Sequence, residues 1–122
     1  MTIIEAINRV DAVKPNGFHL DEKICWLSRL DGIVKSELHD VHMNDIQTVF
    51  EGYDGKSLTK ELFVPHPYDE VYLRYLESQI DYASGEYEKY NNSILLFNAA
   101  WEAYQKFYHR THRPRAKDFV HF

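Results

Sequence analysis

The stretch YNNSILLFNAAWEAYQKFYHR, residues 90–110, packs six aromatic rings into twenty-one positions of a 122-residue chain. Counting back to Tyr87, the residues Tyr87, Tyr90, Ile94, Phe97, Trp101, Tyr104 and Tyr108 are spaced alternately three and four apart. That spacing places side chains along one stripe of an α-helix. Leu95, Ala99, Ala103 and Phe107 form a second apolar seam beside the first, and Asn91, Asn98, Glu102 and Gln105 fall on a polar side. Two seams exceed what one partner helix covers, so the segment reads as a helix covered on more than one side. Many of its rings are tyrosines, whose hydroxyl stays wet while the ring is buried, a residue enriched at interfaces. Tyr87, Tyr90, Phe97, Trp101, Tyr104 and Tyr108 are therefore the candidates for a subunit interface. The competing reading is that every ring fills the chain's own core.

The same periodicity extends upstream. Residues 68–84 repeat apolar positions at Tyr72, Leu76, Ile80 and Ala83, with Glu70, Arg74, Glu77 and Asp81 on another face and Glu70 four residues before Arg74, the favourable order for a helical ion pair. Pro67 suits the first turn of this helix, where its missing amide has no partner to lose. Gly85 stands where a carboxyl-terminal cap is wanted, which turns the chain back into a long helical hairpin; one unbroken helix over 68–110 is the alternative.

Two shorter helices precede the hairpin. Thr2 and Glu5 have the spacing of a capping box, and Ile3, Ala6, Ile7 and Val10 share a face, so a helix runs to about Ala12 before Pro15 and Gly17 stop it. A second opens on Asp21 and Glu22 and repeats Ile24, Leu27, Leu30, Val34 and Leu38; Gly32 inside it marks a close helix contact or a bend. The helical pattern fails over residues 41–66. Asp54-Gly55 signals a tight turn, and Thr48, Val49 and Phe50 on one side with Leu62, Phe63 and Val64 on the other predict a β-hairpin or extended loop inserted between helices two and three. The expected fold is mainly α, a small helical bundle: one domain over residues 1–113 and a flexible tail over 114–122.

Composition narrows the function. With 44% apolar and 27% charged residues the chain is an ordinary globular domain, without a membrane span or the apolar core of a secretory signal. Cys25, the one cysteine, excludes an intrachain disulfide and a Cys-based zinc site; among large apolar neighbours it reads as buried, in a protein kept in a reducing cytoplasm. His39 with His42, and His109 with His112, have i, i+3 spacing but no third ligand of defined position, so no metal or other cofactor is expected. Nucleophile elbows, phosphate loops and dinucleotide fingerprints are absent from the sequence, and acid pairs such as Asp21-Glu22 and Asp69-Glu70 read as helix starts. Catalysis is not expected.

Charge divides the chain. Residues 1–105 hold nine basic against eighteen acidic residues, a net of −9, whereas residues 106–122 hold five against one, a net of +4. A basic end on an acidic body fits an anionic protein, a neighbouring copy or a nucleic acid.

Three pieces of the sequence resemble a family of small head-tail connector, or neck adaptor, proteins from phages and prophages of Gram-positive bacteria. These are INRVDAVKPN at residues 7–16, WLSRLDG at 26–32, and the long block VPHPYDEVYLRYLESQIDYASGEYEKYNNSILLFNAAWEAYQKFYHRTHRP at 64–114. Residues 41–63 depart most from the family's pattern. The resemblance implies a structural component of the virion neck, held in the host cytoplasm before assembly. There a homo-oligomer, dodecameric in related connectors, forms a ring between the portal protein and the next neck or tail protein. DNA passes through its channel without sequence-specific binding. An acidic wall suits such a conduit, because it does not trap phosphate through counterion release.

Arg113, Arg115, Lys117, Phe119, Val120 and Phe122 in the tail are the expected partner-binding residues. The alternative function is a small helical nucleic-acid-binding protein whose Arg110, Arg113, Arg115 and Lys117 contact phosphates. So few contacts bind weakly and with steep salt dependence. Deleting residues 114–122 is expected to abolish docking on the portal while leaving the helical circular dichroism intact; unchanged docking refutes the role given to the tail.

Overall fold

The structure, a computed structural model, describes residues 1–40 and 49–112. Four helices make up most of it: α1 (Ile3–Val13), α2 (Leu20–Val34), α3 (Glu70–Ala83) and α4 (Tyr87–Thr111). A π-helical turn, Lys35–His39, prolongs α2. The small mainly helical bundle expected from the periodicity is the fold observed.

The first helix starts where Thr2 and Glu5 cap each other, with the Thr2 hydroxyl accepting from the Glu5 amide at 3.3 Å. The amides of Ile3 and Ile4 have no partner within the helix, and they donate instead to the carbonyls of Lys60 (3.1 Å) and Leu58 (3.0 Å). The segment between α2 and α3 thus completes the start of α1. Ile3, Ala6, Ile7 and Val10 are buried against Ile24, Leu27, Leu30, Val34 and Leu38 of the second helical segment and Val71, Tyr72, Leu76 and Ile80 of α3. Each large aliphatic side chain so enclosed contributes about 1.5–3 kcal/mol relative to an exposed one.

The inserted β-hairpin is not found. Residues 41–48 lie outside the described residues, and residues 49–66 contain no strand, only an isolated bridge between Thr2 and Glu61. The turn itself is present: the Ser57 amide donates to the Asp54 carbonyl at 2.9 Å, and the Asp54 carboxylate accepts from the Lys56 amide at 2.8 Å. On the second flank the backbone amides have other partners: that of Leu62 donates to the Met1 carbonyl at 3.0 Å and that of Phe63 to Asp31 on α2. A further contact with α2 dictates a glycine. Gly52 has φ +91°, and a β-carbon there would stand 2.6 Å from the Ser28 hydroxyl, the same hydroxyl that accepts from the Tyr53 amide at 3.0 Å.

The centre of this arrangement is Asp31, fully buried on the inner face of α2. Its carboxylate accepts from the Tyr72 hydroxyl at 2.5 Å, from the Tyr53 hydroxyl, and from the Phe63 amide at 3.1 Å. The Tyr72 oxygen in turn accepts from the Val64 amide at 2.7 Å. Among the described residues no cation pairs with Asp31. Burial pushes its carboxyl up from the ordinary value, and the three donated hydrogen bonds act in the opposite direction. Burial together with the neighbouring carboxylate pushes the Tyr53 and Tyr72 phenols up, which keeps both protonated as donors.

Several sequence expectations are corrected here. Pro67 precedes α3 rather than opening it, in a turn that follows the cis His66–Pro67 bond. Gly32 faces the Phe50 ring, 3.7 Å from where a β-carbon would be, so the close contact is with the inserted segment and not with a helix. Asp81, placed by the sequence on a face apart from the apolar positions, is buried, and both its carboxylate oxygens accept from Lys14 Nζ at 2.7 Å. Cys25 is exposed: it sits about 100° around the helix from Ile24, which takes the inner position. Gly85 decides between hairpin and single helix. At φ +74° it ends α3 in a Schellman arrangement, its amide donating to Tyr82 (3.0 Å) and that of Glu86 to Asp81 (3.0 Å).

Asp31→Ala leaves two hydroxyls and one amide without their acceptor, and is expected to destabilise the chain by about 3–5 kcal/mol in urea unfolding. A loss under about 1 kcal/mol contradicts the organising role given to this carboxylate.

Candidate assembly interface

At 1.5 Å per residue, the 25 residues of α4 extend about 37 Å against about 21 Å for the 14 residues of α3. The antiparallel turn at Gly85 sets their near ends together, so the last three turns of α4 project past the start of α3. There they pack on the turn before α3 and on the π-helical end of the second segment. His109 and Arg110 in the last turn of α4 face its negative dipole end.

The inner side of α4 carries the aromatic stripe. Ser93, Tyr104 and Tyr108 are buried, and Phe97, Ala100, Trp101 and Phe107 pack against the core while keeping part of their area in solvent. Ring contacts run along its length: Tyr82 with Tyr90 (centroids 5.2 Å apart), Tyr75 with Phe97 (5.2 Å), Tyr68 with Phe107 (4.6 Å). His39 is held at the far end. Its Nε2 is hydrogen-bonded to the Tyr104 hydroxyl at 2.8 Å, and its ring lies nearly parallel to Tyr108, centroids 4.8 Å apart. Tyr108 is also stacked with His112, centroids 3.9 Å apart.

The six interface candidates therefore divide. Tyr104, 1% exposed, and Tyr108, 7% exposed, commit their rings to the chain's own core. Phe97 and Trp101 are half-buried on that core. Tyr90 is half-buried beside Tyr82, while Tyr87 is 61% exposed and touches only the edge of the Tyr82 ring at 5.8 Å among the ring contacts of the described residues. The six tail candidates, Arg113, Arg115, Lys117, Phe119, Val120 and Phe122, lie outside the described residues, as does His42. Among the described residues no three His, Cys, Asp or Glu side chains are grouped so as to hold a metal, and no helix is long and apolar enough to cross a membrane.

The second seam faces outward. Leu95 is 65% and Leu96 50% exposed, and Ala99 and Ala103 are exposed on the same side; Phe107 alone turns inward, onto Tyr68. Beyond Tyr87 the exposed large apolar side chains of α4 are thus aliphatic, opposite the aromatic face. Leu96 belongs to it although the sequence reading did not include it, and its position about 100° from Leu95 was the available signal.

Comparison with protein-family models, with curated proteins and with solved structures finds no match for this chain.

The His39 contact makes the inner face of α4 sensitive to pH. Burial, chiefly, and the neighbouring His112 and Lys35 lower the His39 pKa from its ordinary 6.5, while Asp40 opposes them. The folded chain then binds fewer protons than the unfolded chain as pH falls below that value, so the stability from neutral His39 is complete above pH 6.5 and drains away below it. Thermal unfolding followed by circular dichroism is expected to show a melting temperature that falls from pH ~7.5 to ~5.5, and falls less steeply in His39→Gln. Equal slopes in the two proteins contradict this.

Proposed function

We propose that the chain is a structural assembly subunit that works by fit, as a head-tail connector of the kind its sequence resembles, with the outer face of α4 as an assembly surface. The observation that carries the reading is the exposed aliphatic stripe Leu95, Leu96, Ala99 and Ala103 on the longest helix. Its apolar residues are adjacent on one face of a helix anchored on the other by an extensive aromatic contact, so the surface is rigid and presented at little ordering cost. Ring formation needs one patch of each copy to meet a different patch of the next. A second apolar feature supports that requirement: the groove between α1 and α3, where Val10, Ala12 and Val13 meet Leu73, with Val13 74% exposed. In this reading the net charge of −9 over residues 1–105 keeps the conduit from binding the DNA that passes through it.

Leu95→Glu tests the reading. It places a carboxylate within the stripe, and burying it in an apolar contact costs more than the ~1.4 kcal/mol that a tenfold change represents. The variant is expected to keep the parent circular dichroism spectrum and to bind the portal protein at least about tenfold more weakly in co-sedimentation. Parent-level binding by a folded Leu95→Glu protein overturns the proposal for this face.

A further inference from the structure

Resting on the reading of the outer face of α4 as an assembly surface, we propose that this face pairs with the same face of a second copy, antiparallel and centred on Ala99. The side chains along the stripe follow a definite order. From amino to carboxyl end it runs Glu88, Asn92, Leu95 with Leu96, Ala99, Ala103, Lys106 and Arg110. At 100° per residue these fall within one arc of about 80–100° on the helix. The first is acidic and the last two are basic, with the apolar residues between them.

That order is self-complementary in an antiparallel pair. Glu88 lies eleven residues before Ala99 and Arg110 eleven after it, so an antiparallel pair crossing at Ala99 sets Glu88 of each copy opposite Arg110 of the other. Leu95, four residues before the centre, meets Ala103, four after it. Large side chains therefore oppose small ones at both ends of the apolar stretch, and Ala99 at the crossing lets the helices approach to the short end of the usual 8–10 Å. A parallel pairing would bring like charges together at both ends. It would also oppose leucine to leucine and alanine to alanine.

The surface is available for such a contact. Glu88, Asn92, Leu95, Leu96, Ala99, Ala103, Lys106 and Arg110 are all exposed, and the overlap of residues 88–110 spans about 33 Å. A two-fold contact uses one patch on both partners, whereas a ring needs two different patches. The pair is consequently a form that the free protein adopts, covering its aliphatic face, and it must open before copies join head to tail.

Cysteine pairing in a Cys25→Ser background reads the register directly, since Cys25 is exposed and would otherwise cross-link. Across the two-fold, position 99 faces itself, while the two copies of position 103 are about 12 Å apart along the axis. A disulfide needs α-carbons within about 7 Å. Ala99→Cys is expected to oxidise to a covalent dimer of twice the 14.5 kDa chain mass in non-reducing electrophoresis, Ala103→Cys alone to form no cross-link, and Leu95→Cys mixed with Ala103→Cys to cross-link. Cross-linking of Ala99→Cys and Ala103→Cys to the same extent, or of neither, overturns the pairing.

A charge exchange supplies a second reading. Glu88→Arg is expected to weaken the dimer about fivefold by sedimentation, and adding Arg110→Glu to restore it. Failure of restoration also overturns the register. Neither result bears on whether the face engages the portal, which Leu95→Glu binding measures separately.

Discussion

A buried carboxylate, with no cation paired to it among the described residues, holds the bundle together. Asp31 projects from α2 into the space between α2, α3 and the segment that joins them, and its acceptor sites are met by Tyr53, Tyr72 and the Phe63 amide. Removing a charge from water is unfavourable unless its lone pairs are answered, so the surrounding donors are constrained to one geometry. That constraint explains how a stretch without helix or strand stays in place. Tyr53 and Phe63 attach residues on either side of the Asp54–Ser57 turn to α2, and the relay through the Tyr72 hydroxyl to Val64 attaches the next residue to α3. The same stretch then supplies the carbonyls that complete the start of α1. One carboxylate thereby links three helices through a loop.

Two further ion pairs work at the periphery of this core. Lys14, just beyond the end of α1, holds buried Asp81 of α3, and buried Lys23 of α2 holds Asp11 of α1 with both oxygens at 2.9 Å. Each joins a different pair of helices and fixes their relative rotation more than it adds net stability, because desolvation offsets much of the attraction. With α1, α2 and α3 oriented in this way, α4 has a continuous apolar surface to lie against. Its tyrosines, phenylalanines and tryptophan fill that surface, which leaves the leucines and alanines of the other seam turned outward.

This division of α4 ties the fold to the proposed role. An aromatic face anchors the helix over its length, from Tyr90 on Tyr82 to Tyr108 on His39, and a rigidly held helix offers its opposite face without further ordering. The opposite signs of charge at the two ends of that face make it selective about direction, and small residues at its centre make it selective about distance. In the proposed role, shape and the order of charges on this face set which surface it can meet.

The helices, the cap of α1 and the hairpin turn were legible in the amino-acid sequence, because each rests on local physics: Thr2 and Glu5 close a capping box, Gly85 takes a positive φ, and Ile24, Leu27, Leu30, Val34 and Leu38 recur with the helical period. So was the presence of two apolar seams on residues 87–108. Periodicity could not say which seam faces inward, since both satisfy the same helical spacing and only the partners at Tyr68, Tyr75, Tyr82 and His39 distinguish them. It also could not place Asp31, although an acid seven residues after Ile24 and seven before Leu38 on an otherwise apolar face was a sign that donors must converge there. Those donors come from residues 22, 32 and 41 positions away, and the carbonyls that replace a hairpin ladder serve amides more than 50 positions distant. Local pattern determined the elements; contacts between residues far apart in the chain decided how the non-helical stretch is organised and which surface of α4 is left to solvent.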